Sequence, residues 1–175
     1  MNFFDIYTTA QLNDVEKDLS AIRLYELSTS PIQGNLDLAH LKAIHLYLFQ
    51  DIYPWAGQLR EVDIVKGNDT FSHFADIPRQ FDDLAEELKL ENYLVGHSKE
   101  DFSNRLGYYL GRINTMHPFR EGNGRSQRVF CDAVASRADY EIDWGSIGNS
   151  AMVEACKDAF TGNYKKLERQ ILLNL

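Results

Sequence analysis

The chain is expected to fold as a mainly α-helical bundle with one short β-hairpin, and three features of the sequence say so. Most of its length carries apolar residues at intervals of three and four, the spacing that lines one face of an α-helix. Residues 59–74 change instead to alternation with a period of two around a turn signal. No internal repeat, low-complexity tract or Gly/Ser linker interrupts the 175 residues, a length that suits one domain, 1–175, with a core of its own.

The first helix is read from Leu12, Val15, Leu19, Ile22 and Leu27, and it stops at Ser28-Thr29-Ser30-Pro31. Asp37 is placed to cap the second, whose apolar face uses Leu38, Leu41, Ile44, Leu48 and Phe49. Pro54 and Gly57 break that pattern. Val62 and Ile64 then alternate with polar neighbours, Lys66-Gly67-Asn68-Asp69 signals a turn, and Thr70 to Phe74 alternates again, so a hairpin is predicted over about 59–74. A lone hairpin is not stable by itself, so this one must pack on the bundle or offer a binding edge. Helical spacing resumes over Ile77 to Leu90, Lys99 to Met116, Ser126 to Arg137, Ser150 to Phe160 and Tyr164 to Leu173.

The formal charge is -8, from 18 basic and 26 acidic residues, so most of the surface would repel nucleic acid, and no nucleic-acid partner is expected. No stretch approaches the roughly 20 apolar residues of a membrane helix. The start, Met1-Asn2-Phe3-Phe4-Asp5, lacks the basic and apolar regions of a signal peptide. Cys131 and Cys156 stand far apart in helical patterns and read as reduced thiols rather than a disulfide or zinc site. A cytoplasmic protein is expected, or one passed into a host cell if it is an effector. Within this acidic chain Arg112, Arg120, Arg125 and Arg128 crowd together, which suggests a small anionic ligand.

The chemistry concentrates in His117-Pro118-Phe119-Arg120-Glu121-Gly122-Asn123-Gly124-Arg125-Ser126-Gln127-Arg128. Pro118 ends the preceding helix, Gly122-Asn123-Gly124 makes a tight loop, and a new helix begins at about Arg125. Backbone N–H groups and the positive end of the helix dipole converge there and favour phosphate. Arg125 and Arg128, three apart, share a face and can grip phosphate oxygens. Glu121 would repel bare phosphate; it makes sense as a ligand of Mg²⁺, which binds through few carboxylates plus substrate phosphates. His117 can serve as a base near neutral pH. Neither G-x-x-x-x-G-K-[ST] nor G-x-G-x-x-G occurs, and by physics alone a Gly-Asn-Gly loop divides evenly between a phosphate site and a plain turn between helices.

The same string resembles the Fic motif, H-P-F-x-[DE]-G-N-G-R-x-x-R, at every specified position. Asp51-Ile52-Tyr53-Pro54-Trp55-Ala56-Gly57 resembles that family's D-x-[YF]-x-W-A-G segment, and Leu59-Arg60-Glu61-Val62-Asp63-Ile64 leads into what resembles its flap hairpin. The likeness covers about residues 10 to 174 and is nearest to Fic toxins that pair with a small separate antitoxin.

The resemblance implies a Fic-fold bundle and a protein adenylyltransferase. His117 would deprotonate a Ser, Thr or Tyr hydroxyl of a target protein, which attacks the α-phosphate of ATP. Glu121 would hold Mg²⁺, and Gly122, Asn123 and Gly124 would form the anion hole. Arg125 would contact the β-phosphate and Arg128 the γ-phosphate. The flap, Lys66 and Gly67 through His73, would seat the target by strand addition. Met152 and Val153 are the expected adenine contacts. Relatives of the family move another nucleotide or phosphocholine instead, and a catalytically silent nucleotide-binding module is a further alternative. Glu121 argues against the phosphate-transferring branch, which carries a basic residue there.

Self-inhibited members carry [ST]-x-x-x-E-[GN]. Here only Glu91-Asn92 and Glu121-Gly122 match its end, and Glu87 and His117 stand where Ser or Thr is required. The inhibitory glutamate opposite Arg128 must then come from a separate antitoxin, or the chain is unregulated. The remaining residues take plain readings. Phe119 anchors the loop, while Arg120, Ser126 and Gln127 are surface or helix-start residues. Trp55, Tyr53, Tyr108, Tyr109 and Phe130 are core. His40 and His45, five apart, do not share a face and suggest no metal, His73 is an exposed residue or a target contact, and His97 lies in a loop.

Overall fold

In a computed structural model of the chain, which describes residues 2–66 and 69–175 with the side chains of Lys66 and Asp69 left aside, seven α-helices surround one core. They are α1 (Thr9–Thr29), α2 (Leu38–Phe49), α3 (Ile77–Leu90), α4 (Lys99–Met116), α5 (Asn123–Arg137), α6 (Asn149–Ala159) and α7 (Lys165–Leu173). Each boundary has a local cause. Asp37 accepts the N–H of His40 at 2.8 Å and starts α2, and Ser98 accepts that of Asp101 at 3.1 Å and starts α4. Pro78 sits in the first turn of α3, where its missing N–H is harmless.

Helix α5 runs through the middle of the bundle, against α2 on one side and α4 on the other. Leu41, Ile44 and Leu48 of α2, Ile113 of α4, and Phe130 and Val134 of α5 are all buried. Helix α7 lies on α4 at close range because Gly107 and Gly111, one turn apart, present no side chain to it. A Cβ on Gly107 would stand 2.8 Å from the backbone N of Glu168, and one on Gly111 2.5 Å from the Tyr164 ring.

The β-structure is smaller than the alternation predicts. The ladder holds two antiparallel pairs, Val65 with Thr70 and Lys66 with Asp69, extended by a bond from the Phe71 N–H to the Ile64 carbonyl at 3.3 Å. The rest of 59–74 is irregular because side chains take the groups a ladder would use: Arg60 donates to the Val62 carbonyl at 2.7 Å, and Asp63 accepts the Phe74 N–H at 2.9 Å. Ser126 and Gln127, expected on a helix surface, are buried instead, on the face that α5 turns into the bundle. Trp55 and Tyr108 pack only partly against the core, while Tyr53, Tyr109, Phe119 and Phe130 lie in it.

Candidate active site

Met116 ends α4 and His117 follows in the left-handed region, at φ 46° and ψ 63°, with its N–H still bonded to the Ile113 carbonyl at 3.0 Å. That turn aims the chain out of α4, and Pro118 prevents the helix from continuing. The His117 ring lies 4.0 Å from the ring of Phe71, which in turn meets Phe160 at 5.0 Å, so the imidazole is packed beside the base of the hairpin.

Arg60 holds this corner. Its side chain is fully buried, and it donates to the carbonyls of His117 at 2.9 Å, Met116 at 3.1 Å and Val62 at 2.7 Å, and to that of Ser72. Its own N–H bonds the Pro118 carbonyl at 2.9 Å. The negative end of the α4 dipole and the four carbonyls receive the charge, with Asp63 next at 3.7 Å. Sequence reasoning quoted Arg60 and assigned it no role. A buried arginine is visible only through partners that lie up to 57 residues away.

The loop from Phe119 to Asn123 is clamped from inside. Asn123 donates to the Phe119 carbonyl at 2.8 Å and accepts the Phe119 N–H at 2.9 Å, so its side chain braces the loop and only its backbone faces the helix entrance. Gly122 has φ +77°, and a Cβ there would stand 2.3 Å from the Phe49 ring; glycine is required twice over. Helix α5 starts at Asn123, two residues earlier than expected, and its first internal bond runs from the Ser126 N–H to the Gly122 carbonyl at 3.1 Å. The N–H groups of Asn123, Gly124 and Arg125 therefore have no partner within the helix and point out of its positive end. Glu121 stands exposed at that entrance, one carboxylate oxygen accepting the Gly122 N–H at 3.1 Å.

The two arginines of α5 are held differently. Arg125 reaches back to α1, donating to Ser20 at 2.7 Å and to the carboxylate of Glu16, and lies over the Phe49 ring at 4.8 Å. Glu16 is 7% exposed and also accepts the Tyr53 hydroxyl proton. Arg128 folds back over Gly124, 3.7 Å from where a Cβ would lie, and among the described residues it makes no ion pair. Burial and the nearby Arg125 both pull its pKa below the usual guanidinium value. One turn further along, Asp132 bonds the Trp144 indole N–H, and burial pushes its carboxyl up to about 6.

Beside the two arginines lies a cavity of about 380 Å³ whose walls include Asp132, Trp144, Ile147 and Met152. Of the two residues expected at adenine, the fold brings Met152 to this cavity. Val153 points away, 46% exposed, because a neighbour on a helix turns about 100° from it. Gly67 and the Lys66 side chain lie outside the described residues. His73 is exposed and pairs with Asp63 at 2.8 Å. Glu16 and His45 were missed as site residues: both are polar and buried, and each meets its partners across long sequence distances.

A histidine at one helix end, an open helix N-terminus across a tight loop and an arginine that makes no ion pair among the described residues stand together beside a cavity. The model of the Fic/DOC family matches residues 35–135, and the chain belongs to that family. It is 41% identical over 99% of its length to the protein adenylyltransferase VbhT of Bartonella schoenbuchensis, of which it spans 36%. It is 38% identical over 95% of its length to the "Probable protein adenylyltransferase Fic" of Escherichia coli, of which it spans 82%. The BepC effector of Bartonella tribocorum, solved with AMPPNP, shares the fold at a TM-score of 0.94 and 23% identity, over 99% of this chain and 90% of that one. The N-terminal Fic domain of an effector from Bartonella quintana, solved with ADP, does so at 0.92 and 25%, over 99% and 89%. Among the described residues, no helix is long and apolar enough to cross a membrane.

Proposed function

We propose that the chain is a protein adenylyltransferase that moves AMP from ATP to a hydroxyl of a target protein, as the toxin of a toxin–antitoxin pair. The observation that carries this reading is the union of His117, at the left-handed end of α4, with the open N-terminus of α5 and with Arg128, which makes no ion pair among the described residues. Relatives named protein adenylyltransferase, and a Fic domain solved with ADP, support a nucleotide in this cleft.

His117 takes the proton of the target hydroxyl as its oxygen attacks the α-phosphorus. The new P–O bond forms in line with the bond to the β-phosphate, which breaks, and pyrophosphate leaves. The backbone amides of Gly122, Asn123 and Gly124 receive the oxygens that gain charge. Arg125 offers the N–H groups left over from Glu16 and Ser20 to the β-phosphate, and Arg128 meets the γ-phosphate. Met152 lines the adenine side. Glu121, exposed at the entrance of α5, is the residue that would hold Mg²⁺, a cation that takes few protein carboxylates. When bound there, the ion neutralises phosphate charge.

Target recognition belongs to the edge of the hairpin over 66–73, and the neighbouring Val62 and Val65 are exposed. Regulation belongs to Arg128. A larger cavity, about 920 Å³, lies between α1, α2 and α5 and shares Leu24, Val129 and Asp132 with the cavity beside Arg128. That continuity supports an antitoxin segment reaching Arg128 with a glutamate. Labelling a lysate with α-labelled ATP and Mg²⁺ tests the reading. Labelled protein that disappears with His117→Ala is expected; no label with ATP, UTP or GTP from antitoxin-free protein overturns it.

A further inference from the structure

We propose that His45 is a positioning residue that aims the Gly122 amide at the bound nucleotide. The ring is wholly buried in α2 and stacks on Phe119 with centroids 3.8 Å apart and planes 20° apart. Both ring nitrogens are used. The Gly57 N–H donates to Nδ1 at 2.8 Å, so Nδ1 carries the lone pair. Nε2 then carries the proton and donates it to the Glu121 carbonyl oxygen at 3.0 Å.

The consequence lies in the geometry of one peptide unit. The Glu121 carbonyl and the Gly122 N–H belong to the same planar trans peptide and point in opposite directions. Gripping the oxygen therefore sets where the N–H points. Control is needed here because Gly122, at φ +77°, has no side chain to prevent that peptide from turning over. The amide is already presented to an anion: its partner is the Glu121 carboxylate, at 3.1 Å. The same arrangement gives the Trp55-Ala56-Gly57 turn a function. Gly57 holds φ +77° against Leu46, and its N–H fixes the ring that fixes the loop.

This inference rests on the nucleotide reading of the site, and the test separates the two. ADP with Mg²⁺ is titrated calorimetrically into the wild-type chain, His45→Asn and His45→Gln. The asparagine oxygen replaces Nδ1 and loses the donor to Glu121; the glutamine amide replaces Nε2 and keeps it. Both lose the stack on Phe119, so melting temperatures should fall alike. Affinity is expected to drop about tenfold in His45→Asn, the size of one lost hydrogen bond, and to stay within about threefold in His45→Gln. Equal losses, or none, overturn the proposal and leave the nucleotide reading standing; no ADP affinity in the wild type overturns both. Nitrogen-15 spectroscopy of the wild-type chain adds a check independent of the variants. His45 must be neutral at pH 7 with its proton on Nε2; a proton on Nδ1, or on both nitrogens, overturns the proposal.

Discussion

The Nε–H of Arg60 donates to the carbonyl oxygen of His117 at 2.9 Å, joining the entrance of the hairpin to the residue proposed as base. The same guanidinium holds the carbonyls of Met116, Val62 and Ser72. Arg60→Met fills similar volume and strands four acceptors, that of Met116 buried. A loss of at least about 1–3 kcal/mol is expected, the cost of leaving a buried acceptor without a partner. Arg60→Lys, with one point of charge in place of a fork, should lose less. Urea denaturation of the two variants measures both.

Gly122→Ala combines two penalties. A side chain at φ +77° is strained by about 1–3 kcal/mol, and the Phe49 ring occupies the space it needs, adding about 1–3 kcal/mol of overpacking. The sum should show as a lower denaturation midpoint. Adding Phe49→Leu should recover part of the packing term and none of the strain. Full recovery would mean that the backbone at 122 is not confined to the left-handed region.

Arg125 and Arg128 share a face of α5 and should respond in opposite ways. Arg125→Ala leaves Glu16 buried with Tyr53 as its one side-chain partner among the described residues, and should destabilise the fold by about 1–3 kcal/mol. Arg128→Ala removes a half-buried charge that repels Arg125 and makes no ion pair among the described residues. Its melting temperature should hold or rise while affinity for AMPPNP, which carries a γ-phosphate, falls. Thermal melts with calorimetry on both variants decide it.

The pH dependence of stability contains two opposing contributions. Asp132 titrates near 6 in the fold and near 3.8 unfolded, so the folded state binds the extra proton and stability falls as pH rises from about 4 to 6. His45 titrates near 4 in the fold and near 6.5 unfolded, so the unfolded state binds the extra proton and stability rises over nearly the same window. Each shift is worth up to about 3 kcal/mol. Asp132→Asn, which keeps an acceptor for Trp144, should therefore lose more stability than the wild-type chain on acidification from pH 6.5 to 4. His45→Gln should lose less. Urea midpoints taken across that range test both signs.

The helical periodicity placed all seven helices to within a few residues, because each buries one stripe of its own sequence against the core. The motif residues His117 to Arg128 were legible because a turn, a helix start and their charges are local. Three supports were not. Arg60, His45 and Glu16 look like ordinary polar residues, and what marks them is burial against partners 57, 76 and 109 residues away. The hairpin was overread for a related reason: alternation over 59–74 says which faces could be apolar, and it cannot show Arg60 and Asp63 taking the backbone groups that a longer ladder needs. By itself, then, the sequence determined the helices and the residues gathered at the α4–α5 turn, since both follow from spacing along the chain. Only the tertiary structure decided how that turn is held, because hydrogen-bond partners far apart in sequence meet only once the core has formed.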